Sequence, residues 1–140
     1  MSQPIQPRME LPMEPPSLDD IEALAREAFR TIPDAFRAQT GDVTFLVTDF
    51  AEQDVLDELG AESPFEILGL YAGVPFGEAG TLASPSDLNR IFLYRRPILD
   101  YWCETGEDLS DIVRHVLIHE IGHHYGFSDD DMENIEANAD

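Results

Sequence analysis

Between Gly106 and Gly126 the chain reads GEDLSDIVRHVLIHEIGHHYG. Ile112, Val113, Val116, Leu117 and Ile121 recur there at the spacing of one face of an α-helix, and such a stripe is stable only against a core. Charged and imidazole side chains fill the intervening positions, so one helix carries both a buried face and a concentration of polar chemistry. Thr105 with Asp108 reads as a capping box opening this helix, and Gly126 reads as its stop.

The remaining segments supply what covers that face. Ser17 is a good N-cap, followed by acidic Asp19 and Asp20 and by Ile21, Leu24, Ala25, Ala28 and Ile32 at helical spacing, which predicts an amphipathic helix from Ser17 to Thr31. Gly41 introduces VTFLV at 43–47, rich in β-branched and aromatic residues and expected to be a buried strand. AEQDVLDELG at 51–60 reads as a short helix stopped by Gly60, EILGLYAG at 66–73 as a strand, and RIFLYRR at 90–96 as another, after a Gly/Pro/Ser-rich connection from Val74 to Asp87. Pro97 suits the first turn of a short helix holding Ile98, Leu99, Tyr101 and Trp102, and SDDDMENIEANAD can start a last helix capped by Ser128 or Asp129. This order predicts an α+β fold: a small mixed sheet of three to four strands packed against helices, with the histidine-rich helix the longest.

With 140 residues the chain is expected to form one domain, over 17–140. The first sixteen residues hold five prolines and no hydrophobic periodicity, and are expected to be a disordered arm. The arm lacks the apolar run of a secretory signal, and no segment approaches the roughly 20 apolar residues that span a bilayer. A soluble, cytoplasmic protein is the expectation. The lone Cys103 has no partner for an internal disulfide and is expected to be buried in the core.

Twenty-nine acidic residues against eight basic ones give a formal charge of -21. Such a field repels phosphate backbones and anionic lipid, which argues against nucleic-acid and membrane partners. All eight basic residues are arginine, so lysine Schiff-base chemistry is excluded.

The chemistry concentrates in HEIGHHYGFSD at 119–129. His119 and His123, four residues apart, lie on a helix about 6 Å apart along the axis and about 40° apart around it, so both imidazoles can reach one ion. Glu120 follows the first of them, which sets its carboxylate beside a metal, where it can take a proton from a bound water. A catalytic zinc needs a third protein ligand and one open position. Gly126 allows the chain to turn back with positive φ, and Asp129, three residues on, is placed to supply a carboxylate oxygen. Asp130, Asp131 and Glu133 are its close rivals.

These residues fit H-E-x-x-H-x-x-G-x-x-D at every fixed position. In this the sequence resembles the zincin metallopeptidases, in the metzincin-like branch whose third ligand is aspartate. With RIFLYRRPI and GLYAG upstream, it is similar to the small bacterial "minimal zincin" family over roughly Ile21 to Asp140. The resemblance implies His119, His123 and Asp129 as zinc ligands, Glu120 as general base and later proton donor, one zinc ion per chain, and a peptide or protein substrate. It also implies a compact sheet packed against the active-site helix. The chain departs from full-size metzincins in ending soon after the motif: Met132 lies three residues beyond Asp129, too near to form the separate Met-containing turn of those enzymes.

Among the neighbours, His115 is expected to be a satisfied helix residue rather than a metal-supporting group, and His124 points about 100° away from His123. Tyr125 is expected to pack, and Arg90, Arg95 and Arg96 to pair with surface acids. An extended substrate can pair along a free sheet edge, with RIFLYRR and GLYAG as candidates. The functional expectation is a zinc-dependent metallopeptidase. The alternatives are a zinc-stabilised binding or structural domain with little turnover, and an acidic interaction protein without metal.

Overall fold

The computed structural model describes residues 14–38, 43–73 and 89–138, without the side chains of Phe36, Asp129 and Asn138. The expectations for residues 1–13, Gly41 and the 74–87 connection lie outside the described residues.

Helix α1 spans Leu18–Thr31. Its start is fixed by a reciprocal cap: Asp20 N–H donates to Ser17 Oγ at 3.1 Å, and Ser17 N–H donates to Asp20 Oδ2 at 2.9 Å. The apolar positions Ile21, Ala25 and Ala28 are buried as their spacing requires. A single turn, α2, follows at Asp34–Arg37. Strand β1 is Thr44–Thr48, α3 is Gln53–Leu59, and a 3-10 turn at Pro64–Glu66 leads into β2, Gly69–Ala72. Gly60 ends α3 in the left-handed region at φ 71, as its position after Leu59 predicts. Strand β3, Arg90–Tyr94, runs directly into α4, Arg95–Thr105, and the chain closes with α5, Leu109–His124, and α6, Asp129–Asn138.

The result is an α+β fold with a three-stranded mixed sheet in the order β1-β3-β2. Strand β3 is central, parallel to β1 and antiparallel to β2. The register aligns Phe45, Ile91 and Tyr71 in one row across the sheet, and all three side chains are buried. That row faces the main core, formed with Ile21, Ala25 and Ala28 of α1 and with Ile112, Val113, Val116, Leu117, Ile118 and Ile121 of α5. Each fully buried Ile or Leu there contributes about 1.5–3 kcal/mol. The opposite face is partly covered by α3, through a smaller cluster of Ala51, Leu56 and Tyr94. Helix α5 reaches the sheet at Gly69, where a Cβ would stand 2.7 Å from Val116 Cγ1 and 3.1 Å from Phe92 O. A glycine at that point brings the motif helix down onto β2.

Four expectations need correction. β1 is an edge strand with Thr44, Leu46 and Thr48 exposed and only Phe45 fully buried, not a strand buried on both faces. Arg95 and Arg96 belong to a helix rather than to the strand. The first N–H groups of a helix have no partner within it, so Pro97 as third residue does not delay its start. Thr105 does not cap α5; it ends α4, which Gly106 stops at φ 72, and Asp108 takes the N-cap position of α5 without a side-chain cap bond. Cys103 is exposed, because Pro97, Ile98 and Leu99 turn the buried side of α4 elsewhere.

Candidate functional site

Helix α5 ends in a Schellman turn that explains the glycine three residues after His123. Phe127 N–H donates to Gly122 O at 2.7 Å and Gly126 N–H to His123 O at 3.2 Å, with Gly126 at φ 79. The chain reverses there, and α6 starts with Ser128 as cap: Asp131 N–H donates to Ser128 Oγ at 3.0 Å, and Ser128 N–H donates to Asp131 Oδ2 at 3.2 Å. The Asp131 carboxylate is thereby committed to the cap. Helix α6 then packs back on α5 through Met132, which is fully buried. A Cβ on Gly122 would lie 2.4 Å from Met132 Sδ, so the glycine between the two motif histidines is the seat of this methionine.

On the polar side of α5, His119 and His123 present their rings 5.8 Å apart at 84°. His119 is half-buried and His123 exposed. Burial, and next the neighbouring His115, push the His119 pKa below the usual imidazole value, against the opposing pull of Glu136. Glu120 is also half-buried, and burial raises its pKa above the ordinary carboxylate value; the polar backbone of Tyr71 and the nearby His123 oppose that rise. Tyr71 lies on β2, and since Tyr94 N–H donates to Leu68 O at 3.0 Å, the alternation of an antiparallel pair turns the Tyr71 backbone outward from β3. The outward-facing backbone of Tyr71 is thus free of β3 and can act on the carboxylate. Of the two candidate substrate edges, RIFLYRR is the central strand and is excluded, whereas GLYAG lies at an edge.

His119 and Glu120 open on a cleft of about 480 Å³ whose walls also include His115, Leu68, Glu66 and Glu107. Behind β2, Tyr71 Oη donates to Asn89 Oδ1 at 2.9 Å and lies 3.0 Å from Tyr125 Oη. Burial and the Tyr125 hydroxyl raise the Tyr71 pKa far above the phenol value. Tyr125 thus joins a buried hydroxyl pair, and His124 turns away from His123 to lie 4.3 Å, centroid to centroid, from the Tyr71 ring. Arg95 pairs with Asp49 at 3.0 Å, while Arg96 lies over the Phe50 ring.

Of the sequence-predicted site residues, His119, Glu120 and His123 share one helix end, and the backbone of Asp129 opens α6 beyond the turn. The side chain of Asp129 is outside the described residues. One residue the sequence reading passed over stands among them: Glu136, whose Oε1 is 3.3 Å from His119 Nε2 and whose Oε2 is 2.9 Å from His115 Nδ1. Glu136 lies seven positions after Asp129, two helical turns on one face, and that spacing is the signal for it.

A family profile described as zincin-like metallopeptidase matches residues 40–139. Among solved structures, a conserved hypothetical protein from Thermo thermophilus superposes with a TM-score of 0.50 at 20% identity, over 79% of this chain and 94% of the other. At that identity the likeness concerns the fold. No curated protein sequence gives a significant match.

Proposed function

The chain belongs to the zincin-like metallopeptidase family, and from that premise we propose that it is a zinc-dependent peptidase in which His119, His123 and Asp129 hold the ion and Glu120 is the general base. The donor chemistry fits zinc: two imidazoles from one helix face and a carboxylate from the next helix. Burial favours the neutral form of His119, the form with a lone pair to give. When bound, zinc supplies a Lewis acid that polarises the scissile carbonyl and acidifies water.

The chain's own residues do the rest. Glu120 takes the proton of the attacking water and returns it to the departing amine. A raised carboxyl pKa suits both halves of that exchange, because the group must accept the proton and then release it near neutral pH. An extended peptide laid along the outer edge of β2 has its backbone beside Glu120, and β2 is too short to pair with more than a few residues.

The observation that carries this reading is the half-buried Glu120 carboxylate, with its raised pKa, in the wall of a cleft that His119 of the same helix also lines. A zinc ion held only for structure has no need of a base so placed. The test is elemental analysis of the purified chain and of His119→Ala: about one zinc per chain is expected in the first and a large loss in the second. A wild-type chain free of transition metal after zinc reconstitution contradicts the reading.

A further inference from the structure

The motif pair is not the only pair of histidines with i,i+4 spacing on α5. His115 precedes His119 by one turn, their rings stand 4.0 Å apart at 36°, and Glu136 of α6 reaches both with one oxygen each. One donor atom from each of the three residues falls within 4.8 Å of the other two. We propose that His115, His119 and Glu136 form a binding site for a divalent transition-metal ion, one helical turn before the motif pair and sharing His119 with it.

The distances suit an ion. Two donors bound tetrahedrally at about 2.1 Å stand roughly 3.4 Å apart, and His119 Nε2 and Glu136 Oε1 stand at 3.3 Å. The donor set of two imidazoles and one carboxylate selects zinc, cobalt, nickel, copper or iron over magnesium and calcium, which prefer all-oxygen shells. Access is open, since the His115 side chain is 54% exposed on the cleft. Glu66, Glu107 and Glu120 line the same cleft and draw cations toward it. The three donors come from two helices, and the packing of Met132 on Gly122 fixes how those helices meet, so the arrangement does not depend on a loop.

This site needs neither His123 nor Asp129, and it stands apart from the peptidase reading except through His119. A single nitrogen serves one ion at a time, so the two donor sets compete for His119 Nε2.

The experiment is a cobalt(II) titration, followed by visible absorption and equilibrium dialysis, of three chains: wild type, H123A/D129N, and H123A/D129N/H115A/E136Q. The wild type is expected to bind about one cobalt, and H123A/D129N still to bind about one, weaker by about 100-fold. The fourfold variant is expected to lose binding altogether. A folded H123A/D129N that binds no cobalt overturns the proposal while leaving the peptidase reading intact, and so does a fourfold variant that binds as tightly as the double. If the double variant loses its far-UV ellipticity, H123A and H123A/H115A/E136Q carry the same two outcomes, because His123 is exposed and not a core residue. A wild-type chain that binds no cobalt removes both sites.

Discussion

The backbone of Tyr71 on the edge strand favours the charged form of the Glu120 carboxylate on the motif helix, against the burial that raises its pKa. Glu120 lines the cleft as well, so what disturbs its surroundings disturbs the proposed chemistry.

Glu120 carries a pH signature. Its folded-state pKa lies above the unfolded value of 4.5 because burial disfavours the charged form. The folded chain therefore binds more protons than the unfolded one as pH rises through that window, and stability falls across it. In the metal-free protein, Glu120→Gln is expected to melt higher than wild type at pH 7, with the difference closing below pH 4.5. Thermal melts at several pH values check this; a variant that melts lower than wild type at pH 7 speaks against the burial argument.

Gly69 sets the distance between α5 and β2. Gly69→Ala places a Cβ 2.7 Å from Val116 Cγ1 and 3.1 Å from a backbone oxygen, which does not yield easily. Overpacking of this kind costs about 1–3 kcal/mol, and it lifts Glu120 away from the Tyr71 backbone. Both the denaturation midpoint and peptide hydrolysis are expected to fall, and an unchanged midpoint counts against the close contact.

Met132 and Gly122 are coupled in the same way. Met132→Ala empties a fully buried position and is expected to cost about 2–5 kcal/mol, and Gly122→Ala alone overpacks against the methionine sulfur. Together the two changes relieve each other, so the double variant is expected to be more stable than the sum of the singles predicts, by about 0.5–3 kcal/mol. Urea denaturation of the four chains measures it, and strict additivity means the two side chains do not meet.

Much of this arrangement is legible in the sequence because it is local. Helical spacing identifies α1 and α5, Ser17 and Gly60 mark the start of α1 and the end of α3 by capping chemistry, and His119, Glu120 and His123 lie on the helix that their spacing predicts. What escaped is non-local. Nothing in RIFLYRR announces that it lies between the other two strands, because strand order depends on which segments pair across distant parts of the chain. Residue type alone places Cys103 in the core, whereas its exposure follows from which side of α4 is buried. Glu136 was one acid among many until α6 folded back and set it against His115 and His119.

Removal of metal has a thermal consequence. Binding to the native state alone stabilises it by about 4 kcal/mol when the free ion is at a thousand times its dissociation constant. Chelation of the zinc-loaded chain is thus expected to lower its melting temperature by several degrees, with recovery on adding zinc back. Melting that ignores the chelator contradicts a native-state metal site.

The most direct measurement compares zinc-loaded wild type with Glu120→Gln on a peptide library, with zinc quantified in both. Cleavage is expected to fall by about 10²–10⁴-fold, the usual contribution of a general acid–base group, while zinc stays near one per chain. Equal cleavage by the two chains, or zinc-loaded wild type that cuts no peptide, contradicts the assignment of Glu120 as the base of a zinc peptidase.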